Sequence, residues 1–438
     1  MEAIEDLPRD EPVGELPPQP WMEAEETKAV IAALSADGAS PRFVGGCVRD
    51  SLAHRPVTDI DIATPDPPEM VMALLRRAGL RALPTGLDHG TVTALAGGRG
   101  FEITTLRRDV ETDGRHARVQ FTDDWVADAS RRDFTINALS CRPDRMIYDP
   151  FGGIADLSAG RILFVGDAMK RIDEDVLRLL RFFRFFAHFG HPPADIPALH
   201  ACRAQAPRLA ELSGERIAAE LTKLLSAADP LPALVLMQGA GVLSALLPDA
   251  ADLGRLRALV FLESRGVRRP SVEVDPLRRL AALLKPDADH VSEVASRLRL
   301  SNAQTERLTE MAAPETAPDR GMEPPAQRRL LYHLGAERFR DLTLLSWAHA
   351  RADDGYAPAG DNSRWMAMLD LADDWTIPEF PLRGEDVLAL GVSPGPEVGR
   401  RLSDLRQWWE EGDFRPGREE LLARLAETSL SPRGRGPG

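Results

Sequence analysis

The stretch of sequence that decides the fold begins with FVGGCVRD at residues 43–50 and ends with TDIDI at residues 58–62. Its two aspartates, Asp59 and Asp61, are two positions apart in a run of β-forming residues, so they point to the same face of a strand. Neighbouring carboxylates repel each other unless a cation lies between them, and their hard oxygen atoms suit Mg²⁺. The stretch therefore predicts a strand that carries a metal site.

Three further residues of this stretch favour phosphate as a ligand. Gly45 and Gly46 precede a helical segment, where glycine lets backbone N–H groups approach a phosphate closely. Arg49 is placed to reach the same phosphate. A lone Gly-Gly is usually a turn and a lone Asp-x-Asp a surface strand, but their combination within about 20 residues favours a phosphate–metal site.

Composition limits the protein class without fixing the function. The chain has 438 residues, 43% of them hydrophobic and 28% charged, which excludes a wholly disordered protein and suggests several domains. A net charge of -14 argues against a generally basic nucleic-acid binder, although it leaves room for a local positive groove. Three distant cysteines predict a reducing compartment, and no apolar run approaches the ~20 residues of a membrane span.

The organisation along the chain predicts an α+β protein. Short strand-like runs with turn signals occur only before about residue 157, with helical stretches between them, and helical periodicity dominates afterwards. A single helix is predicted from Asp173 to Phe189. We therefore expect a small head with a mixed sheet, followed by an elongated all-α region.

Residues 131–139 read RRDFTINAL, in which polar side chains alternate with apolar ones. One interpretation is the start of an amphipathic helix with Asp133 as its cap, and composition alone favours it. The other is contact of Arg132, Asp133 and Asn137 with a ribose and a triphosphate. Residues 149–157, DPFGGIADL, are rich in turn formers and predict a structural corner.

Residues 174–186 read EDVLRLLRFFRFF, a mostly apolar helix with a polar stripe. The stripe follows steps of three: Asp175, Arg178, Arg181 and Arg184. It allows two interpretations. One is an internal ion-pair ladder in which the arginines pair with Asp175 and Glu174. The other is base recognition, because an Asp acceptor beside an Arg donor matches adenine and cytosine and leaves guanine and uracil unsatisfied.

In their order, these segments resemble the motifs of the tRNA nucleotidyltransferase and poly(A) polymerase family, a branch of the DNA polymerase beta-type nucleotidyltransferases. A fifth segment, ERIAAEL at residues 215–221, is similar to a further motif of that family. The sequence is most similar to the class II CCA-adding enzymes. The matching motifs lie between Phe43 and Leu225, and their occurrence together in this order is highly specific for the family.

The resemblance implies addition of CCA to the 3′ end of tRNA from CTP and ATP without a nucleic-acid template. It implies two Mg²⁺ ions on Asp59 and Asp61, one activating the RNA 3′-hydroxyl and one clamping the triphosphate, with Glu102 as an additional catalytic carboxylate. The implied nucleotide-binding residues are Gly45, Gly46, Arg49, Arg132, Asp133, Asn137, Asp175, Arg178, Arg181 and Arg184.

The resemblance also implies a division of the chain, with tRNA as the macromolecular partner. The expected parts are a loose acidic tail (1–22), a catalytic head (23–157), a neck for base recognition and RNA binding (158–226), a body (227–345), a tRNA-binding tail (346–430) and a disordered end (431–438). We expect a cytoplasmic location, no membrane association and no obligate protein partner.

Two alternatives remain open at this point. A poly(A) polymerase would have the same head and use ATP alone, and a catalytically inactive RNA-binding relative would have lost one of the two aspartates. Residues 106–117, polar and glycine-containing, predict a mobile loop. This loop is similar to the flexible loop with which CCA-adding enzymes switch from C to A, and it favours full CCA addition.

Overall fold

The computed structural model describes residues 8–37, 40–113, 116–248, 250, 253–353 and 362–430. The chain forms two compact units. The first comprises Met1–Ala250 and Ser296–Leu300, and the second comprises Ala251–Ala295 and Ser301–Gly438. The predicted disordered end, residues 431–438, lies outside the described residues.

The first unit contains every strand of the described chain. They are β1 (Pro12–Glu15), β2 (Arg42–Val44), β3 (Ile60–Thr64), β4 (Arg81–Gly86), β5 (Thr91–Ala96), β6 (Arg99–Thr105), β7 (Arg107–Asp113), β8 (His116–Phe121), β9 (Ser140–Cys141) and β10 (Met146–Tyr148). Eight form one sheet in the order β1-β10-β9-β2-β3-β6-β5-β4, and β7 pairs with β8 separately. Only β3 and β6 run parallel among these pairs, so the predicted mixed sheet is confirmed.

The helices of the first unit pack on this sheet and continue beyond it. They are α1 (Pro20–Glu23), α2 (Glu25–Leu34), α3 (Gly46–Leu52), α4 (Pro68–Arg77), α5 (Trp125–Ser130), α6 (Gly153–Ala159), α7 (Ala168–Glu174), α8 (Leu177–Phe189), α9 (Ile196–Gln205), α10 (Gly214–Leu225), α11 (Leu231–Gly239) and α12 (Val242–Leu246). Short 3-10 turns lie at Ser35–Asp37, Leu87–His89, Thr135–Asn137 and Ala206–Glu211.

The expectation of a loose N-terminal tail was wrong for the residues that are described. Strand β1 pairs with β10 at the edge of the sheet, and the side chain of Leu16 is fully buried. Asp10 accepts two hydrogen bonds from the guanidinium of Arg42, at 2.6 and 2.9 Å, which fastens the segment to β2. Proline and acidic residues predict a loose chain, but an edge strand needs only backbone partners, which the sequence pattern of β1 does not reveal.

Residues 106–117 were expected to form a mobile loop, and most of their described part belongs to the β7–β8 hairpin. Arg107 pairs with Phe121 at one end of the β7–β8 hairpin, and Asp113 pairs with His116 at the other. The Asp-Gly dipeptide at 113–114 is a sequence signal for such a hairpin.

A single helix from Asp173 to Phe189 was predicted, but the chain breaks it at Asp175. This residue has an extended backbone (φ -153°, ψ 107°) between α7 and α8. Its carboxylate accepts a hydrogen bond from the backbone N–H of Leu177 at 3.1 Å, which satisfies a donor at the start of α8. The predicted burial of α8 is confirmed, because six of its apolar side chains are buried: Leu179, Leu180, Phe182, Phe183, Phe185 and Phe186.

The second unit is helical throughout its described part. Its helices are α13 (Leu253–Phe261), α14 (Pro276–Leu283), α15 (Ala288–Arg297, whose last residues belong to the first unit), α16 (Asn302–Ala312), α17 (Pro324–Leu334), α18 (Ala336–Asp353), α19 (Ser363–Asp374), α20 (Gly384–Ala389), α21 (Pro396–Glu411) and α22 (Arg418–Leu430), with a π-helical turn at Leu262–Gly266.

A buried ion network lies inside the second unit. Glu263 accepts hydrogen bonds from Arg278 at 2.7 and 3.0 Å and from Arg279 at 2.6 Å. Asp341 accepts a hydrogen bond from Arg278 at 2.7 Å and another from Arg307 at the same distance. Glu263, Arg278, Arg279 and Asp341 are buried and satisfy one another, whereas Arg307 is partly exposed.

All three cysteines, Cys47, Cys141 and Cys202, are free thiols and buried. Within the described ranges, no helix combines the length and the apolar character needed to cross a membrane.

Candidate functional site

The carboxylates predicted to bind metal lie at the centre of the sheet. Asp61 is on β3, and its partner across the parallel pairing with β6 is Glu102. Asp59 is exposed and immediately precedes β3. Partial burial, followed by the charges of Glu102 and Asp59, raises the pKa of Asp61 to about 6. The negative charges of Asp59 and Glu102 therefore lie close to the half-buried carboxylate of Asp61.

The donor set fits a hard cation that takes part of its coordination from elsewhere. Carboxylate oxygens of this kind suit Mg²⁺, which keeps several waters and is usually held by one or two carboxylates plus substrate phosphates. In the residues that the structure describes, no three side chains of His, Cys, Asp or Glu group closely enough to hold a metal ion by themselves. Asp59 and Asp61 therefore fit an ion whose shell is completed by a ligand, whereas Glu102 remains a predicted additional carboxylate.

Gly45 and Arg49 flank the start of α3. Gly45 has a positive φ of 66°, a backbone conformation that favours glycine, and a Cβ at this position would lie 3.1 Å from the guanidinium of Arg132. Arg49 donates a hydrogen bond to the side-chain oxygen of Asn137 at 2.5 Å and pairs with Asp50 at 2.9 Å. The β2–α3 turn is thereby connected to the 3-10 turn at Thr135–Asn137.

Asp133 is the centre of a hydrogen-bond network rather than a helix cap. One carboxylate oxygen accepts from the amide of Asn137 at 3.0 Å, and the other accepts from Arg181 of α8 at 2.5 Å. Burial alone would raise the pKa of Asp133, but Arg181 and Asn137 outweigh burial and hold it below its usual value. The chain of contacts Arg49–Asn137–Asp133–Arg181 runs from α3 to α8.

Arg132 is oriented by a buried acid that the sequence reasoning missed. Asp128 on α5 accepts a hydrogen bond from Arg132 at 3.1 Å and bonds from Arg131 at 2.7 and 2.9 Å. Burial opposes the charge of Asp128, yet the two arginines keep its pKa below the usual value. Arg131 and Arg132 follow the end of α5, and their spacing of three and four residues from Asp128 is the signal that could have identified this acid.

Of the predicted corner at residues 149–157, residues 149–152 form a turn and the rest begin α6, and this segment supports the turn at Thr135–Asn137. The carboxylate of Asp149 accepts from the backbone N–H groups of Gly153 at 2.7 Å and Ile154 at 2.9 Å. Asp156 accepts from the hydroxyl of Thr135 at 2.7 Å. A Cβ at Gly153 would lie 2.2 Å from the carbonyl oxygen of Thr135, so this close approach requires glycine.

The polar stripe of α8 is ion-paired, but not with all the predicted partners. Glu174 pairs with Arg178, as the ladder interpretation expected, whereas Arg181 pairs with Asp133 and Arg184 with Glu220 at 2.9 Å. Asp175 instead accepts two hydrogen bonds from Arg216 of α10, at 2.9 and 3.0 Å. Arg216 and Glu220 lie four residues apart on α10, and this spacing in ERIAAEL was the available signal for both.

These side chains surround a cleft with a volume of about 560 Å³. Of the predicted site residues, all of which the structure describes, the cleft is lined by all except Asp59 and Glu102: Gly45, Gly46, Arg49, Asp61, Arg132, Asp133, Asn137, Asp175, Arg178, Arg181 and Arg184. The lining residues that were not predicted are Arg131, Leu177, Phe185 and Arg216. The cleft joins one central carboxylate to a wall rich in guanidinium groups, an arrangement suited to a polyanion that arrives with a cation.

Comparison with known proteins gives two matches to family models. The model described as "Poly A polymerase head domain" matches residues 41–163, which contain the carboxylates and the turn of Asp133. The model described as "Probable RNA and SrmB- binding site of polymerase A" matches residues 197–253, which include α10.

Relatives and solved structures match over most of the chain. The CCA tRNA nucleotidyltransferase 1, mitochondrial, of Danio rerio is 34% identical over 88% of this chain and 87% of its own length. The CCA-adding enzyme of Leuconostoc citreum is 31% identical over 89% of this chain and 91% of its own length. The crystal structure of the Bacillus stearothermophilus CCA-adding enzyme in complex with CTP has a TM-score of 0.73 and 27% identity, and it covers 94% of this chain and 98% of that one.

Proposed function

The chain belongs to the family of CCA-adding tRNA nucleotidyltransferases, and from this membership we propose that the cleft of about 560 Å³ is where it builds the CCA end of tRNA from CTP and ATP. In each step the RNA 3′-oxygen bonds to the α-phosphorus of the nucleotide, and pyrophosphate departs. The chain reads no template strand, so its own side chains select the base. The observation that carries the proposal is that one cleft gathers nearly all the residues predicted to touch the nucleotide.

We propose that Asp59 and Asp61 hold divalent ions, that these ions are Mg²⁺, and that Glu102 adds negative charge beside them. Support comes from the raised pKa of Asp61, since burial and the charges of Glu102 and Asp59 together outweigh the compensation that Arg132 and Arg49 give its anionic form. Bound ions would neutralise charge on the triphosphate and lower the pKa of the RNA 3′-hydroxyl. The role of Asp61 itself is to fix the position of that charge at the centre of a rigid sheet.

We propose that the arginines of the cleft bind and orient the triphosphate and the sugar. Gly46 and Arg49 lie at the start of α3, where the backbone can approach a phosphate. Arg132 is held by Asp128, and Asn137 is held by Asp133 and Arg49, so their donors have fixed directions before a ligand arrives. Preorganised donors of this kind stabilise charge without reorganising during the reaction.

We propose that Asp175 and Arg178 face the base, with Arg181 and Arg184 in support. The carboxylate of Asp175 lines the cleft while Arg216 holds it from α10, which leaves an oriented acceptor for an exocyclic amine. Cytosine and adenine both present such an amine beside a ring acceptor. Guanine and uracil present the reverse pattern, and the resulting unpaired buried groups would exclude them.

The division into head (23–157), neck (158–226), body (227–345) and tail (346–430) also stands as a proposal, with tRNA binding assigned to the helical parts. We propose that the hairpin of β7 and β8 acts in the switch from C to A addition. A cytoplasmic location is proposed because three free, buried cysteines suit a reducing compartment.

The test supplies a tRNA that lacks its 3′ CCA to the purified full chain with each nucleoside triphosphate in turn and then with CTP and ATP together. We expect two C residues with CTP alone, and CCA followed by a stop when both are present. A tRNA that already ends in CCA is the matched control and should gain nothing. Open-ended addition of A to either RNA would instead identify a poly(A) polymerase.

A further inference from the structure

A second cavity, with a volume of about 580 Å³, adjoins the nucleotide cleft in the first unit. The two spaces share Arg49, Arg184 and Phe185. The remaining wall includes Arg55, which follows α3, and Lys223 near the end of α10. A ligand that occupies this cavity would therefore be next to the guanidinium groups that line the cleft.

The wall of the cavity carries more positive than negative charge. Arg49 pairs with Asp50 and Arg184 with Glu220, so these two cations are compensated. Across the described ranges, neither Arg55 nor Lys223 has a carboxylate within salt-bridge distance, and the guanidinium of Arg55 donates only to the backbone carbonyl of His188. Asp50 also lines the cavity and interacts electrostatically with Arg55, but the wall has four cationic side chains against this one carboxylate, so it favours an anionic occupant.

The aromatic side chains of the cavity favour an anion without a base. The guanidinium of Arg55 stands 4.1 Å from the ring centroid of Phe189, and that of Arg49 stands 4.7 Å from the same ring. Arg184 covers Phe185 at 4.3 Å. Because guanidinium groups already stack on both rings, these rings are not free to stack on a nucleic-acid base. The N–H donors of the cations suit a compact polyphosphate.

We propose that this second cavity receives inorganic pyrophosphate as it leaves the nucleotide cleft. The choice of occupant rests on the proposed function, in which the bond between the α-phosphorus and its bridging oxygen breaks as the RNA 3′-oxygen bonds to that phosphorus. The departing pyrophosphate carries away the electron pair of the broken bond. Arg49 belongs to both spaces, so the product can pass from one to the other without losing this contact.

The test measures binding of inorganic pyrophosphate to the full chain by equilibrium dialysis, with CTP saturating, Mg²⁺ in excess over both ligands and no RNA. The cleft is then filled and no turnover takes place. We expect the wild-type protein to bind pyrophosphate beside CTP and Lys223→Ala to bind it about tenfold more weakly, because a charge-assisted hydrogen bond is lost. Lys223→Arg should bind nearly as the wild type does, and CTP affinity should not change.

Lys170→Ala is the matched control, since Lys170 is an exposed lysine of the same unit that lines neither space. Absence of pyrophosphate binding beside CTP, or equal weakening in Lys170→Ala and Lys223→Ala, would overturn the proposal. So would unchanged pyrophosphate affinity in Lys223→Ala with a raised KM for tRNA, because the occupant would then be RNA. Since the binding assay needs no turnover, a failure of CCA addition would be recognised separately.

Discussion

At the scale of single residues, Asp61 lies in surroundings that are costly to its negative charge. Its carboxylate is half-buried, faces Glu102 across the strand pair, and has a pKa raised to about 6. Asp61→Asn removes the charge with little change of shape, so nucleotide addition should fall by about a thousandfold or more, as expected when a group that organises metal is lost. The rate of CTP incorporation into tRNA lacking CCA measures this effect.

The control for this substitution is Asp123→Asn, which changes an exposed aspartate of the same unit. Incorporation by that variant should remain within about twofold of the wild type, because isolated surface charges contribute little. Wild-type incorporation by Asp61→Asn in a Mg²⁺ assay would refute the assignment of Asp61 to the metal site.

We expect a substitution of Asp175 to change which base the protein selects. Its acceptor oxygens are held by Arg216, so replacement by asparagine puts an NH₂ donor where only an acceptor stood. The ratio of kcat/KM for CTP to that for UTP should fall by about tenfold or more in Asp175→Asn, since discrimination here depends on unpaired polar groups. Asp173→Asn, two residues away and exposed, serves as the matched control. An unchanged ratio would leave Asp175 a purely structural partner of Arg216.

Asp133 predicts how stability depends on pH. Its pKa is lowered in the folded chain, so its ionised form stabilises the fold above the usual carboxyl pKa, and this stabilisation is lost as the pH falls through the lowered value. Asp133→Asn should cost about 2 kcal/mol at neutral pH, where charged hydrogen bonds to Arg181 and Asn137 are replaced.

Denaturant unfolding of wild type and Asp133→Asn across the acid range tests this linkage. The difference in unfolding free energy should shrink as the pH falls below about 4. A difference that stays constant with pH would show that packing, rather than the carboxylate charge, accounts for the cost.

Among the secondary-structure elements, α6 is held close to the turn of Thr135 by a glycine contact. Gly152 and Gly153 are neighbours that favour glycine for different reasons. Gly152 has a φ of +74° with open space around its Cβ position, whereas a Cβ at Gly153 meets the carbonyl of Thr135 at 2.2 Å. We expect Gly152→Ala to cost about 1 kcal/mol through backbone strain alone. Gly153→Ala should cost about 3 kcal/mol, as overpacking does in a rigid site.

The melting temperatures of these two variants and their KM for CTP provide the measurement. Gly153→Ala should raise KM as well, because Thr135 begins the turn that ends at Asn137 in the cleft. Equal effects of the two substitutions on stability would mean that the close approach to Thr135 relaxes without cost.

The sequence pattern predicted those strands that are marked by their own β-forming and turn residues. The runs around β2, β3, β5 and β6 alternate or carry β-formers between turn residues, and the structure confirms them as strands. The sequence could not reveal β1, because an exposed edge strand with proline and glycine is selected by its backbone partner β10. The break at Asp175 was hidden for a similar reason, since α10 supplies the arginine that holds it.

The sequence predicted which residues form the candidate site better than it predicted the ion-pair partners of those residues. Motif spacing indicated the arginines of α8 and the turn of Asp133, and the structure brings them to one cleft. The partners Glu220, Asp128 and Arg216 come from other helices, and pairing between helices depends on tertiary packing that no local period encodes. One of the two interpretations of Asp133 was a helix cap, because a short polar side chain before apolar residues has that pattern by default.

For the whole molecule, net charge and local charge have opposite signs. The chain carries a net charge of -14, yet the cleft is lined by seven arginines and three aspartates: Arg49, Arg131, Arg132, Arg178, Arg181, Arg184 and Arg216 with Asp61, Asp133 and Asp175. Attraction of a polyanion therefore depends on the distribution of charge rather than on its sum. An acidic protein can in this way bind nucleotides in one cleft while the rest of the chain carries an excess of negative charge.

The second unit has its own internal electrostatics, which yields a separate prediction. Glu263 pairs with both Arg278 and Arg279 where all three are buried, and Asp341 is a second partner of Arg278. Glu263→Gln should cost about 3 kcal/mol or more, because removal of one partner leaves buried charge uncompensated. Glu306→Ala, an exposed acid of the same unit, should cost less than about 1 kcal/mol.

Hydrogen exchange reports where the stability of Glu263→Gln is lost. Protection should fall in α13, α14 and α18, the helices around Glu263, while CTP affinity is unchanged at temperatures where the protein stays folded. The cleft is lined wholly by residues of the first unit, so a loss of CTP binding in the folded variant would contradict this expectation.

The three buried thiols have a practical consequence. Burial raises the pKa of Cys47 and Cys141 to about 12 and also raises that of Cys202, so none forms a thiolate while its surroundings stay closed. Alkylating reagents should therefore modify each one only during excursions that open α3, β9 or α9. The three thiols are therefore probes of local opening, and a comparison of their labelling rates would show which of these parts of the first unit opens most often.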